Sequence, residues 1–356
     1  MASMITQRIV RSWSSRGALP VSLWPVSALM WLLVTLRRQA YRFGLMKSES
    51  PGLPVLVVGN RIVGGAGKTP ATIAIVQHLQ QLGWHPGVLT RGYKRAEDTT
   101  PFSLIEQVSA GQLSAAEVGD EPLLIWRRTH VPVMVGRDRV GGGHALCQAC
   151  PEVDILVCDD GLQHLRLARQ IEVVVFDERG AGNGWLLPAG PLREPIDPVA
   201  PASLVAAPIV LYNAARPTTP LKGHLAHRGM SPMQPLSAWW AGQASDASLQ
   251  PPRDGAWAVA GIAHPPKFFD QLAALGFTNT HPVACDDHDP YTTLPWPEGI
   301  AHVIVTEKDA VKMKPERVRH ERPATQVWVA ALDFRPEPSF WQAIDSALAQ
   351  LPRPHL

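Results

Sequence analysis

Val55-Leu56-Val57-Val58-Gly59-Asn60-Arg61-Ile62-Val63-Gly64-Gly65-Ala66-Gly67-Lys68-Thr69-Pro70 is the stretch on which the reading of this chain turns. Four consecutive aliphatic residues predict a strand buried on both faces. A glycine-rich loop follows, then Gly-Lys-Thr. Next comes a segment over 71–82 whose Ile73, Ile75, Val76, Leu79 and Leu82 have near-helical spacing. Strand, loop and helix N-terminus in that order can surround phosphate oxygens with backbone N–H groups. The expected nucleotide-binding segment is therefore Ile62, Val63, Gly64, Gly65, Ala66, Gly67, Lys68 and Thr69. Lys68 adds positive charge, placing it in the catalytic set, and Thr69 adds a hydroxyl for Mg²⁺. The pattern departs in one place. A P-loop has Gly six residues before its Lys, and Ile62 stands there; Gly64 and Gly65 are expected to supply the backbone freedom.

Working outward, Asp154-Ile155-Leu156-Val157-Cys158-Asp159-Asp160 is a second apolar strand, ending in two carboxylates. Beside a P-loop, one of Asp159 and Asp160 is expected to hold Mg²⁺ and the other to orient it. Further apolar runs lie at 87–90, 131–135, 172–176 and 203–211, separated by helical or polar stretches. That alternation predicts an α/β doubly wound, P-loop NTPase-like core with a mainly parallel sheet over 51–212. A proline-rich, weakly patterned stretch from 216 to 253 breaks the rhythm, and new runs follow at 256–262, 303–305 and 326–332. These predict a smaller second α/β domain over 213–356, with a hinge inside 212–255 and a last helix able to pack back on the core.

Hydrophobic residues make up 46% of the 356 and charged residues 18%, too apolar for intrinsic disorder. Four cysteines cannot staple a chain this long, and a net charge of +2 gives no polycation for nucleic acid. That total hides an asymmetry: residues 1–50 carry seven cations against Glu49, a net of +6, so the other 306 residues carry −4. From Ala18 to Leu36 no residue is charged; nineteen helical residues would span about 28 Å. Pro20 and Pro25 interrupt the first half, leaving about a dozen residues for regular helix. No small-x-small cleavage site follows; Arg37, Arg38 and Arg42 do. Residues 1–50 therefore read as a separate membrane-associated helix lying on the bilayer, its Arg and Lys on lipid phosphates, with a true span or a core helix as the alternatives.

The remaining candidates have weaker local signals. Gly119-Asp120-Glu121-Pro122 reads as a helix start, with Asp120 capping and Glu121 in the first turn. Arg193, in a Pro/Gly loop, is a candidate to neutralise phosphate charge. Cys147-x-x-Cys150 lacks a second ligand pair for zinc. His78, His130 and His144 have no partner pattern.

Together the motifs resemble the tetraacyldisaccharide 4′-kinase family. Carrying the resemblance are Val58-Gly59-Asn60, residues 64–70, Thr90-Arg91-Gly92-Tyr93, Val118 to Pro122 and Asp159-Asp160-Gly161-Leu162-Gln163-His164. So do Arg179-Gly180-x-Gly182-Asn183-Gly184, Leu187 to Glu194, Gly261 to Pro265 and Thr306 to Lys312, all in family order. The resemblance implies transfer of the ATP γ-phosphate, with Mg²⁺, to the 4′-hydroxyl of tetraacyldisaccharide 1-phosphate. The product is lipid IVA, a lipid A precursor, made at the cytoplasmic face of the bacterial inner membrane on its phospholipid surface. It implies Asp120 as the base paired with His264, Arg193 as a catalytic cation, and Glu121 as a metal ligand with Thr69, Asp159 and Asp160. One departure is Asp287-His288-Asp289 before Tyr291, where the family tends to have Asp-His-His; the run is left outside the expected catalytic set. Two other readings compete. A regulatory GTPase would use Thr306-Glu307-Lys308-Asp309 as its base-recognition box, although its Lys is displaced by one. A membrane scaffold would carry a degenerate P-loop.

Overall fold

The computed structural model describes residues 4–92, 101–106, 113–198, 200–243, 246 and 248–352. Tyr93, quoted above, lies outside them. The chain forms two compact units. One comprises Met1–Arg91, Val131–His227 and Phe334–Leu356; the other comprises Gly92–His130 and Arg228–Asp333. The units are thus interleaved in sequence, where the sequence reading has consecutive blocks over 1–50, 51–212 and 213–356. Residues 92–130 look like part of the core's βα rhythm, so local pattern gives no sign that they leave it.

In the first unit the run Val55–Gly59 is a fully buried strand, and so are Ile155–Asp159, Ile171–Asp177 and Ile209–Asn213. Continuous aliphatic sequence fits them because helices and loops cover both sheet faces. Across the middle of the sheet the order is Ile209–Asn213, Ile171–Asp177, Val55–Gly59, Ile155–Asp159, Pro86–Thr90, Val133–Gly136, each of these pairings parallel. The first strand is central. The chain builds outward on one side through 86–90 and 133–136, returns to insert 155–159, then builds on the other side. Ligands of such sheets bind beyond the carboxyl ends of the strands at this reversal. Register places Val58 opposite Asp159, so the glycine loop and the paired aspartates leave the sheet at one level.

The second unit has its own parallel sheet in the order His281–Ala284, Trp257–Ala260, His302–Thr306, Gln326–Ala330, with a short antiparallel edge at Gln234–Pro235. Its core packs Ala258, Ala260 and Ile304 against Phe268, Leu272 and Phe277. The last helix, Pro338–Leu348, belongs to the first unit.

The N-terminal segment is neither short nor separate. A single helix runs Ala18–Arg42 with Pro25 inside it. Pro20 sits in the first turn, where its missing N–H costs nothing, and Pro25 removes one interior hydrogen bond without ending the helix. Pro20, Ser27 and Arg38, spaced by seven and eleven, form a buried stripe, while Trp24, Leu29, Leu33 and Leu36 are exposed. The stripe docks on the first unit. Ser27 Oγ donates to Leu186 O (2.7 Å) and accepts from Ala189 N (2.9 Å); Arg38 reaches Glu194. Ahead of it, Trp13 Nε1 donates to Pro188 O (2.9 Å) and Asn183 N donates to Trp13 O (2.8 Å). The Asn183-Gly184 and Leu187–Glu194 motifs are thus the seat of this helix.

Candidate active site

The glycine loop is held open by its neighbours. Asn60 Nδ2 donates to Gly64 O (3.0 Å), Asn213 Nδ2 to Ala66 O (2.9 Å), and Arg179 donates to Val63 O and Gly65 O (3.1 Å each). Gly64 (φ 93°) and Gly67 (φ 90°) take left-handed conformations, and Gly67 caps the helix Lys68–Gln81. A side chain at either would be strained. Ile62 has the opposite role. It is buried against Ala66, Leu186 and Leu192, so the position where the P-loop pattern has Gly anchors the loop to the core.

Lys68 Nζ lies 3.7 Å from Asp160 Oδ1, and Arg193 NH1 lies 3.3 Å from the same oxygen. Asp160 itself is in a left-handed conformation (φ 52°) with its side chain 38% exposed. The two aspartates are not equivalent. Asp159 is buried and accepts from Thr72 Oγ1 (2.8 Å), inside the helix that Lys68 begins. Asp160 is the carboxylate that faces the loop's cations. Hard oxygen donors, the Asp160 carboxylate and the Thr69 hydroxyl, suit Mg²⁺.

Behind this cluster stands a side chain that local reading of the residues gave no role. Gln163 Nε2 donates to Asn60 O (3.1 Å) and Glu194 Oε1 (3.2 Å), while its Oε1 accepts from Arg193 NH1 (3.4 Å). Glu194 also pairs with Arg38 at 2.9 Å and Arg61 at 3.7 Å. Gln163 and Glu194 thus connect the seated helix to the loop. Their only sequence signal was membership in the quoted motifs.

The second unit holds its own cluster. Gly119 (φ 96°) turns the chain into the helix Asp120–Thr129, whose first residue is buried. Asp120 does not meet His264. Its two oxygens lie 2.9 and 2.8 Å from His288 Nδ1, and Lys308 Nζ is 3.9 Å away. His264 instead precedes the helix Pro265–Ala274 and is exposed, its side chain making no cap. The expected pairing fails because Pro265 and Pro266 commit that segment to starting a helix. His288, left outside the expected set, adopts a left-handed conformation (φ 64°) that turns its ring onto Asp120.

Lys308 ties the cluster together, reaching Asp287 Oδ1 (2.9 Å), His288 Nε2 (3.2 Å) and Glu121 Oε1 (3.8 Å). Glu121, expected among the metal ligands, has Lys308 as an ion-pair partner. Burial pushes the Asp120 carboxyl up, but the His288 hydrogen bond and the Lys308 charge prevail and hold it below its usual value. Burial lowers Lys308, and Asp120, Glu121 and Asp287 outweigh it, leaving its pKa raised. With Asp120 ionised, Nδ1 carries the ring proton and Nε2 accepts from the Lys308 ammonium, an assignment made from these partners.

The proposed guanine box has other work. Thr306 caps the helix Glu307–Ala310, Glu307 is held by Arg128 (2.7 Å), and buried Asp309 accepts from Gly261 N (3.2 Å). None of its carboxylates is free to read a base.

A family model described as tetraacyldisaccharide-1-P 4′-kinase matches residues 19–349. Proteins named tetraacyldisaccharide 4′-kinase from Leptothrix cholodnii and Methylibium petroleiphilum are 52% and 51% identical to this chain. The first alignment covers 99% of this chain and 97% of the relative; the second covers 96% and 94%. A crystal structure of LpxK from Aquifex aeolicus, described as in complex with ATP, superposes with a TM-score of 0.74 at 23% identity. It covers 93% of this chain and 99% of its own.

Proposed function

We propose that in this chain, a member of the tetraacyldisaccharide-1-P 4′-kinase family and an ATP-dependent kinase of lipid A biosynthesis, Lys68, Arg193 and Asp160 serve the γ-phosphate and Asp120 with His288 serves the acceptor. The reaction places that phosphate on the 4′-hydroxyl of tetraacyldisaccharide 1-phosphate. The observation that carries the residue assignment is the convergence of Lys68 and Arg193 on one carboxylate oxygen at the end of the strand beside the glycine loop.

Phosphoryl transfer asks a protein chiefly for positioning and charge neutralisation. The backbone N–H groups from Gly64 to Lys68 bind the phosphates, and Lys68 with Arg193 takes up charge that develops on the transferred group. Asp160 and Thr69 would hold Mg²⁺, which supplies further neutralisation of the phosphates when bound. Asp159 is a positioning residue: through Thr72 it fixes the first turns of the helix that carries Lys68.

A sugar hydroxyl must lose a proton as its oxygen bonds to phosphorus. Asp120, ionised and fixed by His288, is the acceptor of that proton. The Nδ1–H of His288 donates to the carboxylate and fixes its orientation, and Lys308 on Nε2 keeps the ring in that tautomer. The acyl chains of the substrate keep it in a bilayer. The exposed apolar face of Ala18–Arg42 and the cations at its end fit a surface-bound enzyme on the cytoplasmic side of the inner membrane, where ATP is available.

Purified protein incubated with Mg-ATP and the disaccharide 1-phosphate should yield a bis-phosphorylated lipid. Hydrolysis of ATP with no lipid product would defeat the acceptor assignment.

A further inference from the structure

The apolar helix ends against a cavity that no step of phosphoryl transfer uses. Its volume is about 320 Å³, and Arg38, Tyr41, Arg42, Lys47, Ser48 and Ser203 are among its lining residues. Three of those residues are cations and none is a carboxylate. Arg42 and Lys47 are exposed and have no ion-pair partner among the described residues; nearby Glu49 is held by Arg166 at 3.0 Å. Arg38 is buried. Its NH1 is on Glu194, but its Nε has no hydrogen-bond partner among the described residues. A buried guanidinium with an unused donor is unfavourable unless something polar is supplied to that region.

Around the mouth the surface is apolar. Met46, which lines the cavity, is exposed, as are Phe43 and Leu45 beside it in the chain and Leu29, Leu33 and Leu36 along the helix leading to it. A basic recess at the end of an exposed apolar row matches a molecule with one anionic group and long apolar chains. Free phosphate would leave the row uncovered. A zwitterionic headgroup would bring its own cation into a recess that already holds three.

We propose that this cavity holds the phosphodiester headgroup of an anionic membrane phospholipid, its acyl chains lying along the Leu29–Leu36 face. The proposal rests on the reading that the enzyme works at a bilayer surface, and adds to it a discrete lipid site. Lipid in the cavity would also hold Arg38 in the conformation that engages Glu194, and through Gln163 it would steady the nucleotide loop.

The probe is dihexanoyl phosphatidylglycerol below its micelle-forming concentration, so that no charged surface exists and binding requires a site. Titrated into the full chain and followed by isothermal calorimetry, it should bind saturably and at least about tenfold tighter than dihexanoyl phosphatidylcholine. Arg42→Ala/Lys47→Ala should lose about tenfold, whereas Arg8→Ala/Arg11→Ala, the same charge change on the helix Met4–Ser12, should not. Equal affinity for the two lipids, or equal loss in the two variants, overturns the site. Co-sedimentation with phosphatidylglycerol and phosphatidylcholine vesicles separates the two claims. Binding to both vesicle types without monomer discrimination leaves the membrane reading standing and the site refuted. Binding to neither refutes both. If the Arg42/Lys47 variant keeps phosphatidylglycerol affinity but raises KM for the disaccharide 1-phosphate, the cavity serves the substrate and the proposal fails.

Discussion

Arg38 and Glu194 form a buried ion pair, 2.9 Å long and 6% and 3% exposed, that joins the apolar N-terminal helix to the loop carrying Arg193. Removing one member of such a pair leaves an uncompensated charge in the interior, which typically costs about 3–5 kcal/mol. Glu194→Ala and Arg38→Ala should each lower the urea midpoint by a loss of that order, and the double variant should lose less than their sum. Additive losses would show that the two charges are satisfied separately.

The same pair changes what truncation does. Deleting residues 1–45 takes away Arg38, the Ser27 contacts to Leu186 and Ala189, and Trp13 on Pro188. The truncated chain should leave membranes, and its Tm and ATP affinity should both drop. A truncated chain with the parent's Tm and ATP affinity would mean that the helix is only an anchor.

Lys68→Ala should lower kcat/KM by on the order of 10³ with the fold intact, because preorganised charge acts most strongly on the transition state. Asp160→Asn should raise the Mg²⁺ concentration needed for half-maximal rate more than Asp159→Asn, whose side chain faces Thr72. Mg²⁺ titrations in which Asp159→Asn has the larger effect would reverse the two roles.

Asp120→Asn and His288→Ala should each reduce kcat by roughly 10²–10⁴ with ATP affinity unchanged. As the two act as a unit, the double variant should cost much less than the product of the single losses. His264→Ala should keep the parent's kcat. A large kcat loss in that variant would restore the pairing expected from sequence.

His164 gives a pH signature. Burial, with the charges of Arg139 and Arg169, pushes its pKa down to about 4 from an ordinary 6.5. The neutral ring is favoured in the folded state, so its contribution is complete above pH 6.5. As pH falls from 6.5 toward 4 the unfolded chain binds a proton that the folded chain refuses, and stability is lost. Unfolding free energies across that window should fall in the parent and fall less in His164→Gln. Parallel curves would assign the acid sensitivity elsewhere.

How much of this was legible before folding differed element by element. The strand Val55–Gly59 and the helix after it were readable because four aliphatic residues and a 3.6-residue rhythm are local patterns. The positions of Lys68 and Asp160 followed, since each lies at the end of such an element. The helix Ala18–Arg42 was readable as apolar, but its continuation through Pro25 was not, because the contacts that compensate come from residues about 160 positions away. The partner of Asp120 was invisible for the same reason. Nothing within the Asp-Glu-Pro or Asp-His-Asp runs states that they meet, and His264 carried a more recognisable local motif.

Sequence by itself determined what is local and periodic: a doubly wound α/β core, a glycine-rich loop between strand and helix, a carboxylate-ended strand and an N-terminal segment with an apolar face and a basic end. Tertiary structure decided what depends on closing long loops of chain. It chose His288 over His264, Asp160 over Asp159 as the carboxylate facing the loop, and Glu194 as the bond between helix and loop. Hydrogen bonds and ion pairs need angstrom-scale geometry, and that geometry is fixed only when apolar packing brings distant segments into register.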